Sequence, residues 1–148
     1  MPAGWADLVG ATGDERDARG MAAQLNHTIV HCRDPRESAT FLAEMLDLPA
    51  PVPFGPFLGV ETGNGVTLDF MRADDDIAMQ HYAFLVTEEE FDQIYGRILE
   101  RGLDHYADPG GTEKGQINHN DGGRGVYWAE PGGHWLEIIT VPYGGWPS

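Results

Sequence analysis

The sequence predicts an α+β fold made of two copies of one unit, β-α-β-β-β, and three observations carry that reading. A histidine on an apolar run recurs with the same sequel: His27 precedes Asp34 by seven residues and Phe41 by fourteen, as His81 precedes Glu88 and Tyr95. Each run leads into a stretch whose apolar residues recur at helical spacing, and then into short strands. Each half closes on a strand that sets an acid between apolar neighbours, Leu68-Asp69-Phe70 in the first and Leu136-Glu137-Ile138 in the second.

Taken in order, residues 1–22 mix Gly, Ala, Asp and Arg without periodicity. They read as a flexible extension with a short helical turn around Ala6 to Val9. The folded domain is expected over 23–143, with module one at 24–73 and module two at 79–142. Leu25 to Cys32 is strand-like and free of breakers. Asp34-Pro35 then supplies an N-cap and a first helical position, and the helix runs on through Ser38 to Leu46 with Phe41, Leu42, Met45 and Leu46 as its apolar stripe. Pro49, Pro51 and Pro53 break it. Strands are expected at Phe57 to Glu61 and Val66 to Met71, joined through the turn Thr62-Gly63-Asn64-Gly65.

Asp74-Asp75-Asp76 is a solvated linker, after which the pattern restarts. Gln80 to Thr87 reads as a strand, and Glu88 to Arg101 as a helix with the stripe Phe91, Ile94, Tyr95 and Ile98. Thr87 is its N-cap and Gly102 its stop. Residues 105–124 are polar and Gly-rich, of a length that suits a binding loop. The last element is a β-hairpin turning at Pro131-Gly132-Gly133, with Pro142 to Ser148 left as a tail. In that hairpin Glu130 pairs with His134 and Tyr127 lies opposite Glu137, on one face of the sheet. Glu137 falls between Trp135 and Ile139 on the same face. A carboxylate buried there must be paired, protonated or bound to a metal, because burying it bare costs many kcal/mol.

Composition narrows the function. The 148 residues suffice for a real core, and 41% apolar content with fifteen aromatics fits a globular protein. Twenty glycines and ten prolines agree with a turn-rich, β-rich chain. A net charge of −15, from 24 acids against 9 bases with no basic cluster, repels phosphate backbones and argues against nucleic acid as a partner. Cys32, the single cysteine, excludes an internal disulfide and fits a reducing cytoplasm. There is no apolar run of membrane length and no signal-peptide pattern in the first twenty residues, so a cytoplasmic protein is expected.

The duplicated histidines and the terminal acids are the candidates for chemistry. Two imidazoles and one carboxylate meeting at an ion form the facial triad typical of non-haem Fe(II), which leaves positions open for substrate and oxygen. His27, His81 and Glu137 are that set here. Mn, Co, Ni or Zn could occupy the same ligands. Asp69, shorter by a methylene than Glu137, is expected outside direct coordination, near the substrate. Tyr127 could donate a hydrogen bond to a reacting oxygen, and His119 could act as an acid or base. His31 shares a strand face with His27 and could line the cleft, while Arg124 could hold an anionic or phenolate group. His105 and His134 are read as structural.

Over residues 24–142 the chain resembles the vicinal oxygen chelate superfamily of glyoxalases, bleomycin- and fosfomycin-resistance proteins and extradiol dioxygenases. The residues that carry the likeness are His27 with Asp34 and Phe41-Leu42, His81 with Phe84, and Tyr127-x-x-Glu130-Pro131-x-Gly133-x-x-x-Glu137. The resemblance implies paired βαβββ modules forming a cupped mixed sheet around a divalent metal held by His27, His81 and Glu137, often in a homodimer. Ile117-x-His119, followed by Val126-Tyr127 and Glu137, is similar to the extradiol dioxygenase signature, in which the matching His and Tyr assist the oxygenated intermediate. The chain departs from the larger extradiol enzymes in having no histidine from Val66 to Gln80. More narrowly, it resembles small single-domain oxygenases of aromatic polyketide pathways. The expected activity is therefore that of a metal-dependent dioxygenase that cleaves or rearranges an oxygenated aromatic with dioxygen. Two other readings stay open: a glyoxalase-like isomerase or lyase with Asp69 on the metal, and a non-catalytic binder that sequesters a cationic drug.

Overall fold

The computed structural model describes residues 22–147; the extension read over 1–22, including the turn around Ala6 to Val9, lies almost wholly outside them. The chain divides between Asp75 and Asp76 into two compact units.

The first unit runs β1 (His27–Cys32), α1 (Pro35–Leu46), β2 (Val52–Phe54), β3 (Phe57–Glu61) and β4 (Thr67–Arg72). Its sheet has the order β1-β4-β3-β2, with β1 parallel to β4 and the other pairs antiparallel. Asp34 caps α1 by accepting from the Glu37 amide, with Pro35 in the first turn. Helix α1 lies against β1, β3 and β4. Its Ala39, Leu42, Ala43 and Met45 are buried, as are Val30, Cys32, Val60, Leu68 and Phe70 of the sheet. Because side chains alternate along a strand, the register sends His27, Ile29, His31, Thr67, Asp69 and Met71 to the opposite face.

Strand β2 is a finding that corrects the sequence reading, in which Pro53 only broke the chain. Pro53 pairs with Leu58 on the outermost strand, where a missing N–H costs no ladder bond to a further neighbour.

The second unit repeats the plan as β5 (His81–Leu85), α2 (Glu88–Glu100), β6 (His105–Tyr106), β7 (Gly125–Ala129) and β8 (Trp135–Ile139), in the order β5-β8-β7-β6. Thr87 and Glu90 cap α2 reciprocally: the Glu90 amide donates to the Thr87 hydroxyl oxygen, and the Thr87 amide to the Glu90 carboxylate. Gly102, at φ 63°, follows the helix end as expected of a left-handed stop. The terminal hairpin has the expected register, with Tyr127 opposite Glu137 and the Glu130 amide bonded to the His134 carbonyl at 2.9 Å.

The stretch 105–124, expected as a loop, carries β6 and a single 3-10 turn at Asn120–Gly122. Two residues are too short a run for a periodic signal, so β6 was invisible before its pairing with Tyr127 and Trp128 was known. His105 in β6 is buried and structural, as read: its Nε2 lies 3.2 Å from the Tyr95 hydroxyl and its Nδ1 3.1 Å from the Leu103 carbonyl oxygen. Since His105 pairs with Trp128, this contact puts α2 on the Trp128 side of the sheet. Phe91, Ile94 and Ile98 of α2 are buried together with Val126, Trp128, Leu136 and Ile138. The other face of the sheet carries His81, Glu137, Tyr127, Trp135 and Tyr106.

Candidate functional site

The two sheets repeat in register more strictly than their helices do. Ile29 pairs with Asp69 and Ala83 with Glu137, so in each unit the acid stands across from the residue two beyond the histidine. The helices are offset by one: Asp34 is the cap of α1, whereas its spacing partner Glu88 is the first residue of α2, after the cap Thr87. Asp69 and Glu137 are thus structural counterparts, with different neighbours. Across the antiparallel ladder Asp69 meets Gly59, where Glu137 meets Tyr127. The Asp69 carboxylate leans over Gly59, within 3.0 Å of where a Cβ would stand.

Glu137 is fully buried, at 0% exposure. Its carboxylate is satisfied from two sides. Nε2 of His81 lies 2.9 Å from Oε1. The Tyr143 hydroxyl donates to both oxygens, at 2.6 Å to Oε1 and 2.5 Å to Oε2. A phenol has one proton, and Tyr143 spends it on Glu137, so in the 3.1 Å contact between the two phenols Tyr127 is the donor and Tyr143 the acceptor. The result is a donor chain from Tyr127 through Tyr143 to Glu137. Burial raises the pKa of Tyr127 most, followed by its bond to Tyr143 and then by Glu137. Tyr143 is raised too, by burial and then by its bond to Glu137. Both phenols therefore stay protonated near neutrality and act as donors.

Rings line the same face. Tyr127 stacks on Trp135 with centroids 6.3 Å apart and planes at 27°, and Tyr106 lies 5.4 Å from Trp135. His81 sits 5.6 Å from Tyr127. Trp135 is pinned by its indole N–H, which donates to the Pro109 carbonyl at 2.8 Å. Pro109 belongs to a loop knotted by Asp108, whose carboxylate accepts from the amides of Thr112 and Glu113 and from the Thr112 hydroxyl.

The expected residues distribute as follows. His81, Glu137 and Tyr127 come together in the second unit. His27, His31 and Asp69 share one sheet face of the first. His27 is exposed, and its Nδ1 is 2.7 Å from the Asn26 side-chain oxygen, with no hydrogen bond at Nε2 among the described residues. Among the described residues no three His, Cys, Asp or Glu side chains form a group suited to a metal ion; the trio His27, His81 and Glu137 is represented by the pair His81–Glu137. His119 is exposed beside the 3-10 turn and makes no hydrogen bond among the described residues. Arg124 is engaged elsewhere. Its guanidinium donates to Glu88 at 2.7 Å and Asp92 at 2.8 Å on α2 and lies 4.3 Å over the Phe91 ring, so it clamps helix to strand instead of facing the carboxylate. His134, read as structural, is buried and accepts from the Gln80 amide.

Tyr143 is the residue that sequence reasoning missed, since Pro142 to Ser148 was read as a tail. The available signal was the Pro142-Tyr143-Gly144-Gly145 sequence. The Gly145 amide bonds to the Pro142 carbonyl at 2.8 Å with Gly144 at φ 83°, a turn that needs glycine and swings the tyrosine back.

Two of the expected donors, His81 and Glu137, suit one edge of a divalent metal's coordination shell. Two cis ligands of a six-coordinate ion at about 2.1 Å stand about 3.0 Å apart. The His81 and Glu137 atoms are 2.9 Å apart, so the pair needs little movement to serve as such an edge. His27, with one ring nitrogen held by Asn26 and the other without a hydrogen bond among the described residues, has the arrangement usual for a histidine ligand.

Among the described residues no helix is long and apolar enough to cross a membrane. No family model matches the chain. The solved structure of oxidase ChaP-H1 is similar at 62% identity with a TM-score of 0.82, covering 84% of this chain and all of that one. Oxidase ChaP-H2 is similar at 54% identity and the same TM-score, covering 84% and 98%. The metallothiol transferase FosB of Shouchella clausii is 28% identical over 126 residues, 81% of this chain and 82% of the relative. With more than half its residues shared with an oxidase matched over its full length, on a twice-repeated β-α-β-β-β scaffold, the chain belongs to the vicinal oxygen chelate superfamily.

Proposed function

We propose that the chain is a metal-dependent oxidase, of dioxygenase type, acting on a planar oxygenated aromatic such as a polyketide polyphenol. The observation that carries this reading is the fully buried Glu137 carboxylate, paired with His81 on a sheet face lined by Tyr127, Trp135 and Tyr106. The similarity to two proteins named oxidases supports oxidative chemistry. Glu137 and His81 hold a divalent ion, Fe(II) by donor type. The third donor is assigned to His27, the counterpart of His81, from this chain or from a second copy in a homodimer.

When bound, the ion supplies Lewis-acid polarisation of adjacent substrate oxygens and a site for dioxygen. The protein's own groups do the remainder. Half-buried Trp135, backed by the buried Tyr127 ring, presents a face that orients a flat substrate and excludes water. Tyr127 and Tyr143, kept protonated, pass a chain of hydrogen bonds onto the Glu137 carboxylate and hold it in place. His119 and His31 remain candidates for proton transfer and substrate contact at exposed positions. Metal analysis of the purified protein together with oxygen uptake on polyphenols tests the reading, and full activity in rigorously metal-free protein would defeat it. The isomerase or lyase reading requires Asp69 as a further ligand and predicts turnover without oxygen consumption.

A further inference from the structure

Tyr143 combines two properties that rarely meet in a structural residue. Its side chain is among the exposed large hydrophobics of the chain, 60% accessible, while its hydroxyl is turned in onto a carboxylate with no exposure at all. No core packing accounts for that placement. The turn that delivers it depends on Gly144 at φ 83°, and the following Gly145, at φ 89°, is also left-handed.

The carboxylate needs this contact. Of its two oxygens, Oε1 faces His81 and also accepts from Tyr143, and Oε2 has Tyr143 as its hydrogen-bond partner. Without the hydroxyl, Oε2 would lose the hydrogen bond that holds it, and the carboxylate could rotate about its last torsion, which is broad in glutamate. Tyr127 then fixes Tyr143 in turn by donating to its oxygen.

We propose that Tyr143 is a positioning residue of the metal site: its hydroxyl, delivered by the Pro142–Gly145 turn, holds the Glu137 carboxylate in the orientation that presents Oε1 beside His81. This rests on the metal-dependent reading above. Partners that orient a ligating side chain typically change metal affinity by about 10- to 100-fold when removed.

The test is Co(II) binding to the full-length apo protein, measured by chelator competition and by the visible Co(II) spectrum, for wild type, Tyr143→Phe and Gly144→Ala. The phenylalanine variant keeps the ring and is expected to bind Co(II) about 10- to 100-fold more weakly with an altered spectrum. Its apo melting temperature should stay within a few degrees of wild type, which separates orientation from folding. Gly144→Ala strains the turn at an exposed position while keeping the hydroxyl, and is expected to weaken binding in the same direction by less. Equal binding by wild type and Tyr143→Phe overturns the proposal and leaves the metal reading standing. Tighter binding by Tyr143→Phe also overturns it, since the hydroxyl would then compete with the ion. Failure of wild type itself to bind Co(II) sinks the metal reading, and the role of Tyr143 with it. Should Tyr143→Phe not fold, unchanged affinity in Gly144→Ala overturns the proposal alone.

Discussion

Nε2 of His81 stands 2.9 Å from Oε1 of Glu137, although 56 residues separate them in the chain. The pairing follows from two neighbouring parallel strands of one sheet: β5 lies beside β8 with His81 opposite Trp135 and Ala83 opposite Glu137, so the imidazole reaches diagonally across the ladder to the acid. A buried carboxylate of this kind is expensive to keep, and its retention in a small fold points to use rather than to stability.

Glu137→Gln is accordingly expected to separate the two. The amide has nearly the same shape and no charge to desolvate, so the apo melting temperature should hold or rise. Affinity for Co(II) should fall by about 100-fold or more, because a neutral amide is a poor ligand compared with a carboxylate. Calorimetry and metal titration on the same preparation check both halves; a large drop in melting temperature would show that the carboxylate serves the fold.

Arg124 should behave as a structural clamp. Replacing it with methionine keeps the stem over Phe91 and deletes the bonds to Glu88 and Asp92. Because those acids are exposed, the loss of stability is expected to be small, read as a slight fall in melting temperature. KM for an aromatic substrate should not change. A rise in KM of tenfold or so at unchanged stability would restore the expectation that this arginine holds substrate.

Acid should loosen the loop that pins Trp135. The Glu113 amide, then the Thr112 side chain, hold the Asp108 carboxyl below its ordinary value of 3.8. The folded pKa lies under the unfolded one, so the unfolded chain binds more protons as pH drops. This contribution is present above the ordinary aspartate range and is lost as pH falls through the depressed folded value. Glu88, lowered first by its bond to Thr140 and then by Arg124, has the same sign. In urea unfolding from about pH 6 to about pH 3, the stability gap between wild type and Asp108→Asn should therefore narrow on acidification. A gap independent of pH would contradict it.

Trp135→Leu should report on substrate rather than metal. The indole stacks on Tyr127 and lies tilted against Tyr106 on the carboxylate face. Losing that ring is expected to raise KM for a flat polyphenol about tenfold, with Co(II) affinity within about threefold of wild type. Stopped-flow binding and metal titration distinguish this outcome from a collapse of the site.

Much of this was legible beforehand because it depends on local chemistry. Asp34-Pro35 and Thr87 announce helix starts through backbone amides that a capping side chain satisfies, and the structure adds Glu90 as the reciprocal partner of Thr87. Pro131-Gly132-Gly133 sets the hairpin, and period-two alternation then puts Tyr127 opposite Glu137. Elements with no local signature were not legible. Strand β6 exists by virtue of its partner, β2 carries a proline that only an edge tolerates, and the Arg124 clamp needed α2 laid beside the start of β7.

The helix starts, the terminal hairpin and the duplicated histidine and acid were thus written in the sequence itself, since spacing along a chain dictates which side chains share a strand face or a helix stripe, while the motifs around His27, His81 and Glu137 carried the likeness to the superfamily. Tertiary structure alone decided who satisfies the acid. Tyr143 lies six residues past Glu137 on a turn whose direction no periodicity records, and only when that turn folds back does its hydroxyl become a partner of the carboxylate. Hydrogen bonds reach across about 3 Å of space, and no pattern of residues states that distance before the chain has closed on itself.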